Sequence, residues 1–163
     1  MMFFDPPMFL LIHVVLSVLG ILFGLVVVGG LMSGARLDGW TALFLIATVL
    51  TSVTGFGFPF VKVTPAHVVG AISLLVLALC LIARYGKKMA GGWRGTYVVT
   101  AVVALYLNVF VLITQLFVKT PALANLAPTQ SEPPFTITQG LVLLLFVWFW
   151  YAAQRGFRHA RLD

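Results

Sequence analysis

Carboxylates are nearly missing from this chain, which holds four Asp and Glu among 163 residues against ten Lys and Arg. No apolar stretch carries an acid or a base in its central region, so a proton relay or ion-coupled pump of the usual intramembrane carboxylate kind has no support. Cys80 is the single cysteine, which excludes an intrachain disulfide, a CxxC pair and a thiolate metal site. GxSxG, HExxH, Walker-loop and GxGxxG patterns are missing too, and with them the basis for hydrolase, nucleotide-binding or thiol-redox activity. Polar blocks longer than a loop are lacking, so no separate soluble domain fits.

What the chain does have is apolar length. Hydrophobic residues make up 61% and charged residues 9% of it, and the mean hydropathy is +1.10, values of a membrane protein. A soluble core of this size needs a polar surface that so few charges cannot supply. The net charge is +6. Because the basic residues cluster at the ends of apolar runs rather than on one face with stacking aromatics, the expected partner is anionic lipid headgroups and not nucleic acid.

Five apolar runs occupy residues 9–32, 40–58, 65–84, 97–118 and 135–154. Crossing about 30 Å of hydrocarbon takes about 20 helical residues, and the sequence therefore predicts an all-α protein, one domain over 1–163, built as a bundle of five transmembrane helices. Run 40–58 is the shortest and is rich in Thr and Gly. It has to cross, or the charges of the neighbouring loops fall on inconsistent sides. The first run lacks a basic n-region and a small-residue cleavage site, so it is expected to be a retained span and not a signal peptide.

Arg36, Arg84, Lys87, Lys88, Arg94, Arg155, Arg158 and Arg161 fall on one side, and only Lys62 and Lys119 on the other. Under the positive-inside rule this puts the N-terminus outside and the C-terminus in the cytoplasm, in a bacterial-type inner membrane. Trp40, Trp93, Trp148, Trp150, Tyr85, Tyr97 and Tyr151 gather toward the same cytoplasmic ends, where they are expected to act as interfacial anchors.

With that orientation, His13, His67, Gln115 and Gln139 come from four spans to one layer within about 8 Å of the outer boundary. The sharpest reading makes His13 and His67 the axial metal ligands of a b-type haem for electron transfer, with Gly20, Gly24 and Gly70 as the bed for the porphyrin. Other readings stay open. The four polar residues can hold a quinone or another small amphipathic, lipid-like ligand by hydrogen bonds. Gly20 and Gly24 also form a small-xxx-small packing motif, and polar residues can serve only as helix glue in an accessory or scaffold subunit of a larger membrane complex or homo-oligomer. A small transporter or channel opening at residues 55–58 is a third class.

Asn108, mid-span, requires a partner, expected at Thr48 or Thr51. Thr41, Thr48 and Ser52 share a helical face suited to back-bonding onto carbonyls one turn earlier. In the proline-rich connection 119–134, PALANLA is expected to form a short interfacial helix, and Glu132 is the one acid placed to reach the histidines. His159 belongs to a solvated, arginine-rich tail.

Overall fold

The computed structural model describes residues 6–58 and 65–158. Lys62, His159 and Arg161 lie outside the described residues. Among those described, every regular element is helical. Helix α1 spans Pro6–Met32, α2 Asp38–Gly55, α3 Pro65–Leu81, α4 Trp93–Lys119, α5 Pro121–Leu126 and α6 Pro133–Phe157, with a π-helical turn at Ile82–Gly86 prolonging α3. Five of them, all but α5, are long and apolar enough to cross a membrane, in agreement with the expected five-span helical protein.

Local chemistry sets the boundaries. α2 begins at Asp38, whose carboxylate suits the positive end of the helix dipole. It ends at Gly55 and not at 58, because the Phe56 and Gly57 N–H groups turn back to the carbonyls of Val53 and Thr54, at 3.1 and 2.9 Å, and tighten the last turn. α5 is the short helix expected in PALANLA, and both it and α6 open on proline in the first turn, where a missing N–H costs nothing.

α4 is the central helix and packs against α1, α3, α5 and α6. Tyr97, Ala101, Ala104, Leu105 and Asn108 recur along its buried face at the helical period. Ala101 and Ala104, with Cys80 on α3 and Ala83 in the π turn, are fully buried, and their small size lets backbones come close without a hydrophobic drive between lipid-solvated helices. α1 lies along α2 and closes against α6. At that closure a Cβ on Gly156 would overlap the Met32 carbonyl and stand 2.7 Å from the Leu31 carbonyl oxygen. Gly34, at φ +75°, faces the Gly156 carbonyl across the same contact in the left-handed region that glycine enters freely.

The connections 33–37 and 87–92 and the C-terminus of α6 meet at one end of the bundle, where Arg84 pairs with Asp38 and the Arg94 guanidinium donates to the Arg158 carbonyl at 2.8 Å. This is the basic end. Two of its expected interfacial residues belong to the interior: Arg84 is 4% and Tyr97 0% exposed. Tyr97 is no lipid anchor, because its ring lies beneath the Arg84 guanidinium and its hydroxyl meets Thr41 Oγ1 at 3.3 Å. Trp40, Trp148, Trp150, Tyr85 and Tyr151 are exposed as anchors require.

Candidate functional site

At the opposite end, α1, α2 and α3 bring both histidines to the turn that ends α2. His13 sits two turns inside α1, and its Nδ1 lies 2.8 Å from Thr54 Oγ1. The Thr54 hydroxyl also reaches the Leu50 carbonyl at 2.7 Å, and with its hydrogen directed there its oxygen accepts from a protonated Nδ1, the tautomer that leaves the lone pair on Nε2. The His13 ring meets Phe58 edge to face at 5.2 Å, and the His67 ring lies 5.9 Å from that of Phe56. The two histidines thus flank one short turn.

The glycines assigned to the porphyrin bed face protein. A Cβ on Gly20 would meet the Asn108 amide nitrogen at 3.0 Å and Thr48 Oγ1 at 3.1 Å, and one on Gly24 would meet Leu105 at 2.6 Å and Phe44 at 2.9 Å. Their small size admits α2 and α4 to α1, which is the packing role of a small-xxx-small motif. Gly70 likewise faces the Phe56 ring, 3.2 Å from where a Cβ would stand.

The glutamines separate. Gln115 is exposed on α4. Gln139 is buried and clamps α6 to α4, with Nε2 donating to the Phe110 carbonyl at 3.1 Å and to Thr114 Oγ1 at 3.3 Å, while its Oε1 has no protein partner. Glu132 turns toward its own loop, where its oxygens accept from the Thr129 N–H and hydroxyl and from the Ser131 N–H. Slight desolvation acts to raise its pKa, but these hydrogen bonds prevail and hold the carboxyl below its ordinary range. No cluster of three metal-ligating side chains occurs among the described residues.

Asn108 pairs with α1 and not with α2. Ser17 Oγ donates to its Oδ1 at 2.8 Å, and its Nδ2 donates to the Ser17 carbonyl at 3.3 Å. Thr48 and Thr51 are engaged elsewhere, because their hydroxyls donate to the Phe44 and Ala47 carbonyls at 2.7 and 2.9 Å. Thr41 and Ser52 back-bond in the same way, as their spacing implied.

A second polar cluster, at the basic end, was not assigned from sequence. The π turn breaks the α-helical ladder, the Lys87 N–H reaching the Ile82 carbonyl at 2.7 Å, and it carries Arg84 into the interior. There the guanidinium pairs with Asp38 at the start of α2 and stacks 4.9 Å above the Tyr97 ring, while its Nε has no partner. Asp38 also accepts from Arg36 Nε at 2.8 Å. The signal was legible: Asp38 is the one acid at the start of a span on the side where eight cations gather, and it invites a partner from another helix. π turns recur where a helix re-aims a side chain, but no residue pattern marks one in advance.

Chemically, the histidine end offers one imidazole nitrogen as a ligand or hydrogen-bond acceptor, and the basic end a buried cation matched to one half-exposed carboxylate. The chain matches no protein-family model, and no curated protein or solved structure shows significant similarity to it.

Proposed function

We propose that this chain is a non-catalytic accessory or scaffold subunit of a larger membrane complex, seated in a bacterial-type inner membrane with its basic end in the cytoplasm. One observation carries the reading: three polar pairs in the spans join neighbouring helices, His13 with Thr54, Ser17 with Asn108 and Gln139 with Thr114. Such bonds fix helix register. α6, by contrast, leaves Leu141, Leu144, Trp148 and Tyr151 pointing outward, a broad face for lipid or for a neighbouring subunit.

The test is isolation from native membranes in mild detergent, with the mass of the particle and its oxidised and dithionite-reduced spectra taken on one sample. The expected result is a colourless particle heavier than the chain, with a second polypeptide in fixed ratio. A lone chain with reduced-haem bands and one iron per chain overturns it.

A second reading, electron transfer through a bis-His b-type haem, rests on His13 Nε2. A ring that donates through Nδ1 to a hydroxyl presents its other nitrogen as metal-binding histidines do, and His67 borders the same turn. If it holds, His13→Ala and His67→Ala each abolish the reduced-haem bands while the protein still inserts. Full cofactor in both variants removes the axial-ligand role.

A further inference from the structure

Two openings lie along the seam between α4 and α6. At the basic end is a cleft of about 460 Å³ lined by Gly91, Gly92, Arg94, Gly95, Gln154 and Arg158. Deeper along the same helices runs an apolar groove of about 310 Å³, with Val99, Val103 and Tyr106 on α4 and Leu143, Val147 and Trp150 on α6 among its walls. Residues 95, 99, 103 and 106 stand one turn apart on one face of α4, and 154, 150, 147 and 143 do the same in reverse on α6. The openings therefore follow one another along one channel-like seam, crossed where they meet by Gln154 Nε2, which donates to the Gly95 carbonyl at 3.3 Å. From Arg94 to Tyr106 it runs about 18 Å, close to the ~15 Å depth of one leaflet's hydrocarbon.

The two stretches differ in chemistry. The cleft is lined by two arginines and, among the described residues, by no acid. Arg94 donates one N–H to the Arg158 carbonyl at 2.8 Å and lies 5.9 Å from the Phe157 ring centroid, and among the described residues its remaining donors have no acceptor. Neither arginine forms an ion pair among the described residues, where Asp38 is matched to Arg36 and Arg84 and Glu132 caps its own loop far along the chain. Gly91 and Gly92 leave open space where side chains would stand. The groove has apolar walls, and the Tyr106 and Phe146 rings meet edge to face at 5.5 Å at its deep end.

We propose that this channel is a binding site for one anionic phospholipid, its phosphate held by Arg94 and Arg158 and an acyl chain laid between α4 and α6. Guanidinium forks match phosphate oxygens two at a time, and a bound chain covers apolar wall that lipid must otherwise solvate loosely. An anionic headgroup is selected over a zwitterionic one because, among the described residues, no carboxylate offsets the two cations or offers a place for a choline. The site lies at the end opposite the histidines and does not depend on the scaffold reading.

Trp150 supplies the probe. In a variant with Trp40, Trp93 and Trp148 replaced by Phe, Trp150 emission is recorded in phosphatidylcholine vesicles containing a small fraction of either brominated phosphatidylglycerol or brominated phosphatidylcholine. The expected result is severalfold stronger quenching by the brominated phosphatidylglycerol, levelled by Arg94→Gln with Arg158→Gln and reduced by Val103→Phe, which fills the groove. Equal quenching by the two lipids overturns the site, and so does a preference that survives the double arginine change. As a measurement independent of the tryptophan replacements, native mass spectrometry of the unsubstituted chain released from mixed phosphatidylglycerol and phosphatidylcholine nanodiscs should retain one phosphatidylglycerol. Retention of neither lipid, or of both in proportion to their supply, overturns it as well.

Discussion

An amide in mid-span has few partners available, and Asn108 takes two from a single residue, the hydroxyl and carbonyl of Ser17. Interhelical bonds of this kind contribute modestly, about 1 kcal/mol, since the unfolded chain in lipid also finds acceptors. Asn108→Ala and Ser17→Ala are each expected to lower stability by about that amount, with the double variant losing less than the sum; unfolding in graded denaturing detergent measures the cycle. Additive losses would show that the two groups do not interact. The need for a partner was legible from the sequence, but its identity was not. Thr48 and Ser17 are equally polar as letters, and only the back-bond from Thr48 to Phe44 takes one of them out of contention. The His13 contact with Thr54 was hidden for the same reason: depth can be counted along each helix, whereas rotation about its axis cannot.

Single elements carry two further expectations. The π turn at Ile82–Gly86 buries Arg84 against an acid from another helix, and a buried charge that loses its partner is worse off than no charge at all. Asp38→Asn should therefore cost about 2 kcal/mol, in the range of hydrogen bonds to charged groups, and Arg84→Met added to it should recover part of the loss. A further drop in melting temperature in the double variant would contradict this. In the loop before α6, Glu132 holds three donors. Its pKa is lower folded than unfolded, so its contribution is complete above the unfolded value and disappears as pH falls through the folded one. Amide protection in residues 127–132, taken relative to the intrinsic exchange rate at each pH, should hold somewhat below the ordinary glutamate range and then fall, whereas Glu132→Gln should remove that fall. An unchanged profile in that variant would assign the ordering to something else. Element positions were largely readable from apolar length; the end of α2 was misplaced because Gly55 and the i−3 bonds after it stop the helix while the apolar run continues.

For the whole molecule, the asymmetry of eight cations against two makes orientation the expectation most open to test. A reporter fused after Asp163 should be active in the cytoplasm, and one fused at the N-terminus should be exported; the reverse pattern would overturn the topology and the shared outer layer with it. Five helices long enough to span were countable from composition, because lipid demands a continuous apolar surface whatever lies inside. The central place of α4 was not. Its tyrosine at the basic end looked like an anchor and is core, since sequence shows which residues suit an interface but not which helix the others surround. The candidate site was legible only as a depth, and the filled faces of Gly20 and Gly24 belong to a packing order that periodicity leaves undetermined.

The contact of Gly156 with the Met32 and Leu31 carbonyls ties α6 to α1, across about three quarters of the chain. During synthesis α1 and α2 leave the ribosome long before α6, so their shared hairpin must wait in the bilayer with that backbone surface uncovered. That seam closes only when α6 arrives, and a chain halted after α5 would leave those carbonyls facing lipid.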